Sequence, residues 1–268
     1  MHNLPGIIDL QDCFDRQLDL LKNYYIKKQK DPEPGGDIGD RKYQAVLKRY
    51  IGYFIEELVE CNMAYGECVA HLNSMDPGTI NQDHWRKLNK AFNHELSDTF
   101  HFLLDLMIYS NVSPESVEEY YKILLEDGNM GAFLFEGYTL KTAFIHARNT
   151  NLMIGNIPNR MSYNIYPRVL DREEAPAGTL IHVSNLKIQN DLSWACIVEL
   201  QKASHWLKNR PWVQGHYDVD YQNFVRQIMK AWLAVFQYYD YVGLNETKLG
   251  EIYMEKNAIN WERIKNKR

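Results

Sequence analysis

The chain has 268 residues, 45% of them hydrophobic and 24% charged, with 30 basic residues against 35 acidic ones and a net charge of −5. That length and apolar content support a buried core and exclude a disordered or disulfide-stapled chain, and the negative balance argues against a nucleic-acid coat. No stretch approaches the roughly 18 apolar residues of a membrane helix, no basic-then-apolar leader opens the sequence, and Cys13, Cys61, Cys68 and Cys196 form no CxxC pair, so the sequence predicts a soluble, cytoplasmic protein with reduced thiols.

In chain order, the spacing predicts a first helix over 7–26, then a glycine- and proline-rich break at 31–40. Leu47, Tyr50, Ile51, Phe54, Leu58 and Cys61 recur at i, i+3, i+4 and i+7, which places one apolar face of a helix over 47–64. After a second break at 75–79, 88–109 has the same spacing and becomes apolar nearly all round, as a helix buried on several sides does. Asn111 and Ser113-Pro114-Glu115 then read as a helix stop and a fresh start, with serine as N-cap and proline in the first turn. Further helices are predicted at 114–126, 138–150, 190–207, 219–242 and 245–265, and only 160–185 has a strand-like pattern, read as a small hairpin within an insertion. The fold class is mainly α: one helical domain comprising a metal-binding half (1–127), an insertion (128–189) and a second half (190–268).

Sliding the chain by 132 positions superposes much of its apolar skeleton: Phe92 falls on Phe224, Leu96 on Ile228, Leu103 on Val235, Val112 on Leu244 and Tyr121 on Tyr253. Two pseudo-repeated helical halves explain this. Polar positions do not follow, since Glu95 falls on Gln227 and Asp98 on Lys230, and pairing Glu57 with Glu199 puts Glu60 on Lys202. Acids kept in one half and lost in the other point to chemistry that the scaffold does not require.

Those acids form two i, i+3 pairs, Glu57 with Glu60 and Glu95 with Asp98, each on one helix face among apolar neighbours. Glu56 leaves the register of the first pair open, because Glu56 and Glu60 are also one turn apart. Four carboxylates converging from two helices repel unless cations lie between them, and oxygen-only ligation suits Mg²⁺, or Mn²⁺ as the second choice. Near the C-terminus, Lys256, Asn260 and Arg263 are spaced i, i+4, i+7 and share a helix face that reads either as a phosphate clamp or as a basic tail.

Together, ELVE (57–60), HELSDTFHF (94–102) and YMEKNAINWER (253–263) resemble the all-α NTP pyrophosphatases, specifically the dimeric dUTPases and the phage dCTPase-dUTPases. Trp85 and Lys87 stand where that family has a tryptophan-and-lysine segment, and Leu10-Gln11-Asp12-Cys13-Phe14-Asp15 is similar to its LQxxLN base-binding segment. The matches are scattered over most of the chain, with no counterpart for 125–195. The resemblance implies an all-α bundle, a homodimer, and Mg²⁺-dependent hydrolysis of dUTP, with dCTP as a second substrate, to the monophosphate and pyrophosphate. By the same resemblance Glu57, Glu60, Glu95 and Asp98 hold the metal and Glu57 also activates water. Gln11, Asp15, Trp85, Lys87, Lys256, Asn257, Asn260 and Arg263 then contact the nucleotide.

Asp15 departs from the family's asparagine. A carboxylate accepts from the cytosine N4 amine, which favours a dCTP-preferring enzyme as one alternative, while a surface role for Asp15 leaves base reading to the backbone. From other classes, a di-iron bundle would use Asp98 with His101, and a non-catalytic helical interaction module would leave all four acids facing solvent.

Overall fold

The computed structural model describes residues 9–27, 31–74, 81–126, 139–149, 183–207 and 219–266. Among these the fold is mainly α. The helices are α1 (Leu10–Leu21), running on into a π-helical turn at Lys22–Ile26, α2 (Arg41–Asn73), α3 (Gln82–Tyr109), α4 (Pro114–Glu126), α5 (Leu140–Asn149), α6 (Val183–Trp206), α7 (Tyr221–Val242) and α8 (Glu246–Asn266). The only non-helical pairing among the described residues is an isolated antiparallel bridge between Asp9 and Thr139. The hairpin expected at 160–185 lies outside the described residues, except for its last three positions, which open α6. Among the described residues no helix is long and apolar enough to cross a membrane.

Local chemistry sets the helix ends. The Asp40 carboxylate accepts from the backbone N–H groups of Lys42 and Tyr43 at 2.8 and 2.9 Å, so α2 begins six residues before the first apolar position that its periodicity reveals. Gly52 and Gly66, within α2, have open space where a Cβ would stand, so neither marks a close approach. At the end of α3, Asn111 takes φ 56°, the left-handed conformation that asparagine tolerates best after glycine, and Ser113 Oγ accepts from Ser116 N–H at 3.3 Å to start α4. The end of α7 has the same form: Gly243 takes φ 101° and Asn245 Oδ1 accepts from Lys248 N–H at 2.8 Å. Even the terminal backbone bonds correspond, Asn111 N–H to Ile108 O and Val112 N–H to Met107 O in one, Gly243 N–H to Asp240 O and Leu244 N–H to Tyr239 O in the other.

Two long helix contacts dominate the packing, α2 with α3 and α6 with α7, and α2 also touches α6. Helix α5 packs on α7 and places Leu140, Ala143, Phe144 and Ala147 in the core, and α1 and α8 pack on α3. Polar bonds pin this last contact. Tyr253 of α8 donates to Cys13 O of α1 at 2.9 Å, Ser97 of α3 donates to Ile252 O at 3.1 Å, and Gln17 of α1 donates to the buried Asp105 carboxyl at 2.6 Å. Burial pushes Asp105 well above the usual carboxylate range, with the Gln17 bond opposing. The orientation of α8 against α3 is thereby fixed, and that contact frames the site.

Candidate metal centre

Phe54, Leu58 and Cys61 point α2 into the core, and Phe92, Leu96 and Phe100 do the same for α3. Residues one step off those faces lie at the border between core and solvent, and Glu57 and Glu95 are both half-buried there. One carboxylate oxygen from each of Glu57, Glu60 and Glu95 falls within a group whose members all lie within 4.8 Å of one another. Glu56, the other residue that could pair with Glu60, is exposed and lies outside that group.

Asp98, the fourth acid, lies beside the other three. It is engaged by Lys256 of α8, whose ammonium donates to Asp98 Oδ2, with the two side chains only 20% and 11% exposed. Burial, then the charges of Asp98, Glu60 and Glu95, push Glu57 up to about 8, with Lys256 opposing. Glu95 is raised for the same reasons, burial first and then Asp98 and Glu60. Carboxyls this close raise one another, because each added negative charge disfavours the next. The donor set is oxygen only. The Cys61 thiol behind it is fully buried, is pushed well up by burial and by Glu95, Glu57 and Asp98, and is not among the converged groups. These residues fit a hard divalent cation such as Mg²⁺ or Mn²⁺.

His101, which a di-iron centre would need, is not among the converged groups. Its Nδ1 lies 2.8 Å from Ser97 O, its ring packs 4.6 Å from that of Tyr253, and burial holds it down to about 4. The other residues named from the sequence are distributed as helix phase dictates. Trp85 is fully buried and faces the core, while Lys87 is exposed. Asn257 is buried beneath the face that carries Lys256, Asn260 is half-buried and Arg263 exposed. On α1, the Gln11 side-chain amide donates to Asp15 Oδ1 at 2.9 Å.

Sequence reading passed over one feature. Arg86, Lys90 and His94 of α3 and Lys248 of α8 line a cavity of about 550 Å³ that also has Lys256 in its wall. Their spacing, i, i+4, i+8 on α3, was legible as a stripe.

A second constellation lies on α6 and α7. Gln227 stands where the 132-residue offset puts Glu95, Glu199 and Lys202 stand where pairing Glu57 with Glu199 puts Glu57 and Glu60, and the three are in contact. Lys202 Nζ donates to Glu199 Oε1 at 2.6 Å, and Gln227 Nε2 donates to Glu199 Oε2. Here an ammonium and an amide satisfy the one carboxylate that remains. No protein-family model matches the chain, and no curated protein or solved structure matches it either.

Proposed function

We propose that the chain is a divalent-cation-dependent nucleoside triphosphate pyrophosphohydrolase that converts dUTP, with dCTP as a second substrate, to the monophosphate and pyrophosphate, and that it works as a homodimer. The observation that carries this reading is the convergence of Glu57, Glu60 and Glu95 from two helices, with Asp98 and a half-buried Lys256 beside them. A solubilising surface does not have this form, because such a surface has no reason to hold Glu57 half-buried against like charges. The nucleotide class and the dimer rest on the family resemblance.

In this reading Glu57, Glu60, Glu95 and Asp98 hold the cation, which when bound neutralises charge developing on the phosphates and makes a water more acidic. Glu57 positions the attacking water and accepts its proton. The water oxygen bonds to the α phosphorus as the bond from that phosphorus to the α–β bridging oxygen breaks, and pyrophosphate leaves with that oxygen. Lys256, paired with Asp98 in this structure, would donate its ammonium to the departing phosphates were a cation to hold that carboxylate. Asp15, oriented by Gln11, accepts from the base, and a carboxylate at this position favours the cytosine amine.

The second constellation belongs to the same proposal. The two helix pairs are copies of one unit, and the α6–α7 copy has exchanged its external cation for Lys202.

The test is pyrophosphate release from dUTP, dCTP, dTTP and dATP with Mg²⁺, comparing the wild type with Glu95→Gln/Asp98→Asn. Release from dUTP or dCTP is expected, falling by at least about 100-fold in the double variant. A folded wild type that turns over none of these and binds neither Mg²⁺ nor Mn²⁺ would overturn the proposal and leave the helical interaction module.

A further inference from the structure

We infer that the cavity between α3 and α8 is a subsite for a pyrophosphate group, either free or as the distal end of a nucleoside triphosphate; the second form rests on the hydrolase reading above. Two helical ridges build it. On α3, Arg86, Lys90, His94 and Asp98 follow one another at every fourth position, and on α8 Lys248, Ile252 and Lys256 do the same. The Asp98–Lys256 pair ties the ridges together, so the acidic cluster begins where the cationic cavity ends.

The charge in the cavity opposes that of the molecule. Arg86, Lys90, Lys248 and Lys256 line it with Glu255 as the one carboxylate, in a chain of net charge −5. Little of this positive charge is compensated nearby. Arg86 meets Asp83 only at 3.4 Å with both side chains exposed, Lys248 meets Glu251 at 3.6 Å, and Lys90 has no ion pair among the described residues. Exposed pairs of this kind are worth little, so the field of Arg86, Lys90 and Lys248 persists in the cavity, while the charge of Lys256 is met by Asp98. Asn89 and Asn93 on the same wall add amide donors.

A cavity of about 550 Å³ is the size of a small-molecule site, for which roughly 300–1,000 Å³ is usual. Its cations gather around one pocket between two helices, open to solvent on one side, and not along an extended basic face, so it suits the compact, multiply charged phosphates of a small molecule better than a nucleic-acid backbone. A pyrophosphate group has several negative charges within a few bond lengths, and ammonium and guanidinium groups are the donors that match its oxygens. The oxygens of the group then face Arg86, Lys90 and Lys248.

The test uses calorimetric titration of the full chain with inorganic pyrophosphate in EDTA, where no metal-dependent turnover occurs. Wild type is expected to bind, and Arg86→Ala/Lys90→Ala to bind at least about tenfold more weakly. The charge-conserving Arg86→Lys/Lys90→Arg is expected to remain within about threefold of wild type. Because both positions are exposed, the alanine variant should keep the wild-type melting temperature, and its Mn²⁺ affinity without pyrophosphate should also be unchanged. No measurable binding by wild type, or equal binding by the alanine variant, overturns the subsite. Displacement of pyrophosphate by dUTP but not by dUMP assigns it to the nucleotide tail; pyrophosphate binding that dUTP leaves untouched keeps the subsite and overturns its nucleotide form. A wild type that binds pyrophosphate and hydrolyses no triphosphate overturns the hydrolase and not the subsite.

Discussion

Lys256 of α8 donates to Asp98 of α3 across the helix interface, so one carboxylate of the acidic cluster already has a cation from within the chain. The same ammonium lowers the resistance of Glu57 and Glu95 to ionisation. It therefore competes with any divalent cation for the same negative charge.

Replacing it separates the two roles. In Lys256→Met, Asp98 is freed to join Glu57, Glu60 and Glu95, and Mn²⁺ is expected to bind more tightly, by roughly five- to tenfold, in the absence of nucleotide. Nucleotide turnover is expected to fall in the same variant, because the phosphates lose a donor. Titration with Mn²⁺ monitored by electron paramagnetic resonance checks the first part; an unchanged or weaker affinity would show that Lys256 does not compete.

Acid sensitivity should come from two buried histidines. Burial holds His101 down to about 4, with Ser97 O and Asp98 resisting, and holds His146 down to about 4, with Glu118 resisting. Both are neutral in the folded chain near pH 5, whereas the unfolded chain protonates them from the ordinary value of about 6.5. The unfolded state then binds more protons between about 4 and 6.5, so their contribution to stability is complete above that window and is lost as pH falls through it. Glu57 acts with the opposite sign, since a carboxyl raised to about 8 favours folding at low pH and loses that contribution as pH rises through 8. A substitution isolates the histidine effect. His146 stacks on Tyr121 at 3.9 Å, and His146→Phe keeps a flat ring there. The loss of stability between pH 7 and pH 5 is expected to become shallower by roughly 2 kcal/mol in this variant. Urea unfolding at the two pH values measures it, and identical losses in both proteins would contradict the shift.

The α6–α7 constellation can be converted. Lys202→Glu with Gln227→Glu gives a cluster of three carboxylates that includes Glu199, and the variant is expected to gain a second Mn²⁺ per chain and to melt lower than wild type in EDTA, with Mn²⁺ recovering the difference. A stoichiometry that stays at the wild-type value would count against a shared origin for the two helix pairs.

Features set by nearby residues were legible in the sequence, and those set by helix phase and by distant partners were less so. The stop at Asn111 and the start at Ser113-Pro114 follow from side chains that act on their own backbone, and the structure has both. Glu57, Glu60 and Glu95 could be picked out because acids among apolar neighbours are costly without a reason. The start of α2 was missed because Asp40 caps it ahead of any apolar repeat. Trp85 and Lys87 were chosen as a motif, yet one residue of helix is a rotation of about 100°, which turns Trp85 inward and leaves Arg86 and Lys90 on the cavity wall. Lys256 was read as one tooth of a clamp on its own helix; its pairing with Asp98, 158 positions away, depends on how α8 lies on α3, which no local pattern encodes.

The Lys202–Glu199 contact gives the molecule an asymmetry in what it depends on. A charge tethered to the same helix, three residues from its partner, is present at an effective concentration that no dilution or chelator changes. The α2–α3 acids, by contrast, have only Lys256 from within the chain, and under the proposed metal binding the rest of their counter-charge would come from solution. On that proposal one half of the chain would be self-sufficient, and the stability of the other would follow the supply of free divalent ions around it.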